Sequence, residues 1–92
     1  MTPSPSGIPG AELVEAGLRD LAEGRHSVAA LVVSIGAPRL RQLGFEVTAP
    51  IDDAEHTLYR LLADEDADRA HGRYNSLIRR LVSFERAAAC AG

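Results

Sequence analysis

Between residues 11 and 89 the apolar positions recur three or four apart, the spacing of amphipathic helices. Val14, Leu18, Leu21 and Ala22 share one face and Leu13 widens it, while Glu12, Glu15, Arg19 and Glu23 fall off it. This pattern predicts a helix over 11–23, ended by Gly24 in a left-handed cap. Ser27 then stands where a cap belongs, ahead of a run over 28–35 that is apolar nearly all round. The pattern predicts a central helix there, capped at its end by Gly36. Pro38 suits the first turn of a short helix over 38–43, which Gly44 ends.

Residues 45–50 read as an extended connector, in which Pro50 keeps Ala49 out of the right-handed helical region. Asp52 or Asp53 is placed to cap a third main helix with the stripe Ala54, Leu58, Leu61 and Leu62, running to residue 64 or so. An acidic turn follows, and Asp66 or Asp68 is placed to cap the longest helix, over 67–88. Its stripe is Tyr74, Leu77, Ile78, Leu81 and Val82.

These elements predict an all-α fold: a small bundle of four main helices plus one short helical turn, arranged as antiparallel hairpins. Residues 11–89 form one helical domain, behind a disordered tail over 1–10 that is rich in proline and offers nothing to bury. The expected core is Leu31, Val32, Ile35, Leu58, Leu62, Leu77, Ile78 and Leu81.

The stretch ALVVSIGAPRL (30–40) invites two sharper readings. As a strand entering a phosphate-binding loop it lacks a parallel partner, a crossover helix and the glycine fingerprint. As a helix-turn-helix it is too short, because 38–43 spans under two turns and cannot lie along a major groove. A core helix followed by a short helical turn is what survives.

Composition narrows the chemistry. The chain is 46% hydrophobic with two Tyr, two Phe and no Trp, so the core is aliphatic. All the basic residues are arginine, which excludes a Schiff-base lysine and a phosphate-loop lysine. Cys90 is the sole cysteine, so no internal disulfide forms. With no signal-like opening and no apolar run long enough to span a bilayer, the expectation is a soluble cytoplasmic protein.

Charge is unevenly divided. Residues 46–68 carry a net −7 and residues 69–86 a net +4, within an overall −3. In an antiparallel hairpin Asp52, Asp53 and Glu55 would meet Arg79, Arg80 and Arg86, which is the expected use of those charges. Asp64, Asp66 and Asp68 have the spacing of a calcium loop, but Arg69 and Asn75 stand where that loop needs glycine and glutamate. His26, His56 and His71 lie in separate parts of the chain, with no paired-ligand spacing. No nucleophile elbow occurs, and Cys90 sits on a fraying end. We therefore assign no catalytic, cofactor-binding or metal-binding residue.

The expected function is a non-enzymatic protein-interaction module that binds itself or a partner helix. Leu40, Leu43, Phe45, Tyr59 and Phe84 are the candidate contacts, because they fall off the main stripes or in connectors. The alternative is a nucleic-acid-binding regulator with Arg39, Arg41, Arg69, Arg73 and Arg80 on phosphates. The net negative charge weighs against it.

Overall fold

The computed structural model describes residues 9–91. The order is α1 (Ala11–Ala22), α2 (Val28–Ile35), α3 (Ala37–Gln42), α4 (Ala54–Glu65) and α5 (Ala70–Ala91). The fold is all-α, and no strand occurs among the described residues. The tail expected over 1–10 lies outside the described residues for positions 1–8. Gly10, assigned to that tail, is the N-cap residue of α1.

α1 is held at both ends by glycine. Gly10 has φ 79°, and a Cβ there would collide with the Arg80 carbonyl of α5, so both conformation and space require glycine. At the other end the Arg25 N–H donates to the Asp20 carbonyl (2.7 Å) and the Gly24 N–H to the Leu21 carbonyl (3.1 Å). With Gly24 at φ 75° this is a Schellman motif, the left-handed cap that the sequence predicts. The chain turns at once into α2. Ser27 accepts the Ala30 N–H (3.1 Å) and donates its own proton to Asp20 Oδ2 (2.5 Å). The cap thereby fastens α2 to the last turn of α1.

α2 is the centre of the bundle. Ala30, Leu31, Val32 and Val33 are all essentially inaccessible to water. The β-branched Val32 and Val33 disfavour a helix slightly, but burial outweighs that preference by several-fold, at about 1.5–3 kcal/mol for each large apolar side chain. Gly17 of α1 lies against Ala29 and Val33, and Asp20 against Ser27, so α1 and α2 run antiparallel. Tyr59 meets Tyr74 and Glu65 meets Arg73, which makes α4 and α5 an antiparallel pair too.

Gly36 caps α2 as predicted, though without a left-handed conformation. Its φ is −87°, open to any residue, and it is at once the C-cap of α2 and the N-cap of α3. Space explains the glycine: a Cβ would lie 2.9 Å from a Leu81 methyl group on α5. α3 then ends as predicted, the Gly44 N–H bonding the Arg41 carbonyl (3.0 Å) and the Phe45 N–H the Leu40 carbonyl (3.0 Å).

The connector over 45–50 is less extended than expected. Ala49 avoids the right-handed helical region by adopting φ 44°. Two side chains hold this segment down. Arg41 Nη2 donates to the Val47 carbonyl (2.8 Å), and Ser34, in the buried helix α2, accepts the Ile51 N–H (2.9 Å) while donating to the Ala30 carbonyl (2.8 Å). Ser34→Ala is expected to cost about 1–3 kcal/mol, because it strands the Ile51 N–H beneath the connector. Urea denaturation checks this; an unchanged midpoint would mean that the serine does not brace the connector.

Both acidic caps depart from expectation. Asp53 occupies the N-cap position of α4 in a left-handed conformation, and its side chain makes no capping bond. Its carboxylate lies 3.5 Å from His56 Nδ1 instead. α5 starts at Ala70, three residues later than predicted. Asp66 Oδ1 accepts the Asp68 N–H (3.2 Å) and the Asp66 carbonyl the Arg69 N–H (3.2 Å), folding 67–69 into a turn.

The core contains Leu31, Val32, Leu58, Leu62 and Leu81 as expected, with Ile35 and Leu77 partly buried against it. Ile78 does not belong to it. The inward row of α5 is Ala70, Tyr74, Leu77, Leu81, Phe84 and Ala88, a four-three alternation. Ile78 follows Leu77 at about 100° around the helix, which carries it to the flank. Phe84 takes the inward place that the sequence reading gave to Ile78 and Val82.

Candidate interaction surface

Tyr59 is the large hydrophobic side chain left exposed among the described residues, with 38% of its surface accessible. It sits on the outer flank of α4, next in sequence to the fully buried Leu58. Its ring meets that of Tyr74 edge-on, with centroids 5.7 Å apart and planes at 60°. Tyr74 is itself only half-buried. From Tyr74 the i, i+4 rule runs along the same flank of α5 to Ile78 and then Val82. Both are half-buried, and among the described residues they stand outside the core and outside the side chains packed on it. Tyr59, Tyr74, Ile78 and Val82 thus make one apolar strip across α4 and α5.

The strip has charged margins. Glu55 lies one turn before Tyr59 on α4 and is exposed. The Tyr74 phenol is pushed above its ordinary value, first by burial and second by the negative charge of Glu55. On the far side of Val82 the helix presents Arg79 and Arg86, both exposed. Glu85 sits nearer the core. Burial raises its carboxyl above the usual range, and the positive charge of Arg39 partly opposes that.

The residues singled out in the sequence are not brought together. Leu40 and Phe84 are fully buried, which removes both as surface contacts of this fold. Leu40 closes the inner side of α3, and Phe84 packs on the ring of Phe45 at 5.4 Å. Phe84 looks spare only when the stripe of α5 is drawn one position too far round, and Leu40 lies on α3, which is too short to display a stripe. Phe45 is half-buried against the core and Leu43 is half-buried beside it in sequence. Tyr59 alone of the five is exposed.

Of the five arginines, Arg39 and Arg41 lie on α3, Arg69 in the turn before α5, and Arg73 and Arg80 on α5. Arg39 donates to Gln42 Oε1 (3.3 Å) and Arg41 holds the Val47 carbonyl. Arg69 pairs with Asp66 (3.7 Å) and Arg73 with Glu65 (2.8 Å). Arg80 has no carboxylate within 4.0 Å among the described residues, and the same holds for Arg79 and Arg86. The expected pairing of these three with Asp52, Asp53 and Glu55 is therefore absent. The charges of the hairpin meet at its connecting end, where Glu65 and Asp66 lie beside the start of α5.

Asp52, Asp53 and Glu55 instead rim an open groove of about 420 Å³, floored by Ser34, Ile35, Pro38, Ile51 and Ala54. All three acids are exposed, and the one buried hydroxyl, that of Ser34, is fully engaged. Among the described residues no three His, Cys, Asp or Glu side chains are grouped so as to hold a metal ion. No described helix is long and apolar enough to cross a membrane.

Fold and surface together define a small all-α bundle with an aromatic-aliphatic strip on its outer flank. No protein-family model, no curated protein and no solved structure matches this chain. The residues that the sequence reading missed as flank groups are Ile78 and Val82. The four-three alternation from Ala70 to Ala88 was the signal for them, since it leaves Ile78 and Val82 off the inward row.

Proposed function

We propose that this protein is a non-enzymatic interaction module that associates with itself through a helical surface. The supporting observation is the exposed Tyr59 ring, stacked edge-on against Tyr74 and continued by two aliphatic side chains outside the core. Aromatic groups with an apolar body and a polar tip are favoured at the centre of protein contacts. A small bundle has little core to spare, and a second copy is the simplest way to cover such a strip. The titratable groups support the same reading, because the acids rimming the groove beside Ser34 are all exposed, whereas acid–base work favours a carboxylate tuned by burial.

Sedimentation equilibrium over a range of concentrations tests the proposal. A mass that rises from monomer towards an integral multiple supports it. A chain that remains monomeric up to about 1 mM, where even a contact of about 4 kcal/mol would register, overturns it.

A further inference from the structure

The outer flank of α5 carries two aliphatic side chains, Ile78 and Val82, one turn apart on either side of position 80. We infer that two copies dimerise by laying their α5 helices antiparallel across this flank, with Ile78 of each against Val82 of the other. The inference rests on the self-association reading above and assigns its interface.

Three observations carry it. The first is the apolar seam. Ile78 and Val82 are one turn apart and half-buried, and among the described residues they are outside the core packing. A two-fold axis between them pairs each with the other, which is the self-complementarity that an isologous dimer requires.

The second is what the same axis does to charge. Antiparallel pairing centred between residues 78 and 82 sets residue 86 of one copy opposite residue 74 of the other. Arg86, exposed and without a carboxylate within 4.0 Å among the described residues, therefore arrives over the half-buried Tyr74 ring. Glu55 lies one turn before Tyr59, whose ring meets that of Tyr74 edge-on, and its negative charge acts on the Tyr74 phenol. Each copy thus offers an arginine to the other's carboxylate and aromatic face, twice over. A parallel arrangement would place Arg86 against Arg86 and leave Glu55 unanswered.

The third is the aromatic anchor. Tyr59 extends the contact from α5 onto α4 and supplies the exposed ring at its margin. The long α5 gives the seam length, because 22 residues extend over about 33 Å at 1.5 Å each.

The test uses the full chain and sedimentation equilibrium, with circular dichroism to confirm that each variant is folded. Ile78→Glu is expected to weaken dimerisation about tenfold or more, the loss typical of a residue at the centre of a contact. Arg86→Glu and Glu55→Arg are each expected to weaken it about fivefold, and both positions are exposed, so folding is not at stake. Combined in one chain they restore the opposite charges across the axis, and the dimer is expected to recover to within about threefold of the original. A wild-type chain that dimerises while all three single variants dimerise equally well overturns this interface and leaves the self-association reading standing. Weakening by both charge reversals without recovery in the double variant also overturns the antiparallel pairing. A wild-type monomer overturns both readings.

Discussion

Phe84→Ala is expected to cost about 3–5 kcal/mol, the usual price of truncating a fully buried phenylalanine. A domain of this kind is worth only about 5–15 kcal/mol in total, so the variant should be near its limit at ambient temperature. The size of the effect follows from position. Phe84 has no accessible surface, its ring packs on Phe45, and its Cβ lies against the backbone of Gly10. It therefore joins α5 to the connector before α4 and to the start of α1. Truncation opens a cavity where three segments meet, none of which can collapse into it without moving a helix. Phe84→Leu, which retains much of the volume, is expected to lose well under half as much. Urea denaturation followed by circular dichroism measures both. A loss below about 1 kcal/mol for the alanine variant would place Phe84 at a surface and reverse its assignment to the core.

Gly17→Ala should be nearly as damaging, against the trend for helices. At an exposed helical site this change stabilises by about 0.8–1 kcal/mol, because alanine loses less backbone entropy. At Gly17 the new methyl group would overlap the Ala29 carbonyl oxygen and a Val33 methyl group of α2. Neither neighbour is a free side-chain end: one is helix backbone and the other is fully buried. The two helices must separate, and we expect a net loss of about 2–3 kcal/mol. In thermal denaturation this is a fall of roughly 10–20 °C for a domain of this length. Gly72→Ala is the internal comparison. Nothing lies within 4 Å of a Cβ at that position on α5, so the same substitution is expected to stabilise. Opposite signs at the two glycines would establish that helix contact, and not helix propensity, sets the cost at Gly17. The same sign at both would refute the close approach of α1 and α2.

The sequence reading and the structure part company in an instructive place. Helix α2 was legible from Ser27 and the apolar run after it, and the cap at Gly24 from a glycine following a periodic stripe. Both depend on residues within one or two turns of each other. The caps proposed for Asp53, Asp66 and Asp68 depended on local rules as well, but several acids in a row offered equivalent candidates. The choice among them falls out through the contact of the Asp53 carboxylate with His56 and the bonds of Asp66 to the Asp68 and Arg69 N–H groups, which the row itself does not rank. The stripe of α5 was drawn through Ile78 and Val82 because they are more apolar than Ala70 and Ala88. Small residues at the ends of an inward row are easily passed over, although it is their size that lets α5 approach its neighbours. The candidate surface shows the same division. Tyr59 was found because it stands off a clear stripe. The rotation of the α5 face exchanges Ile78 and Val82 with Phe84, whereas Leu40 is carried inward by α3, a helix too short to display a stripe.

The amino-acid sequence by itself determined the all-α class, the number and order of the helices, the glycine and serine signals at their ends, and the absence of lysine chemistry. Each is set by side-chain type and by spacing within about two turns of helix, where the geometry is nearly fixed in advance. Only the tertiary structure decided which apolar residues face inward, which arginines are already paired and why Gly17 and Gly36 are glycine. Those outcomes depend on how closely separate helices approach and at what rotation. The energies involved come from contacts between residues far apart in the chain, and a stripe of apolar residues on one helix does not state where its partner lies.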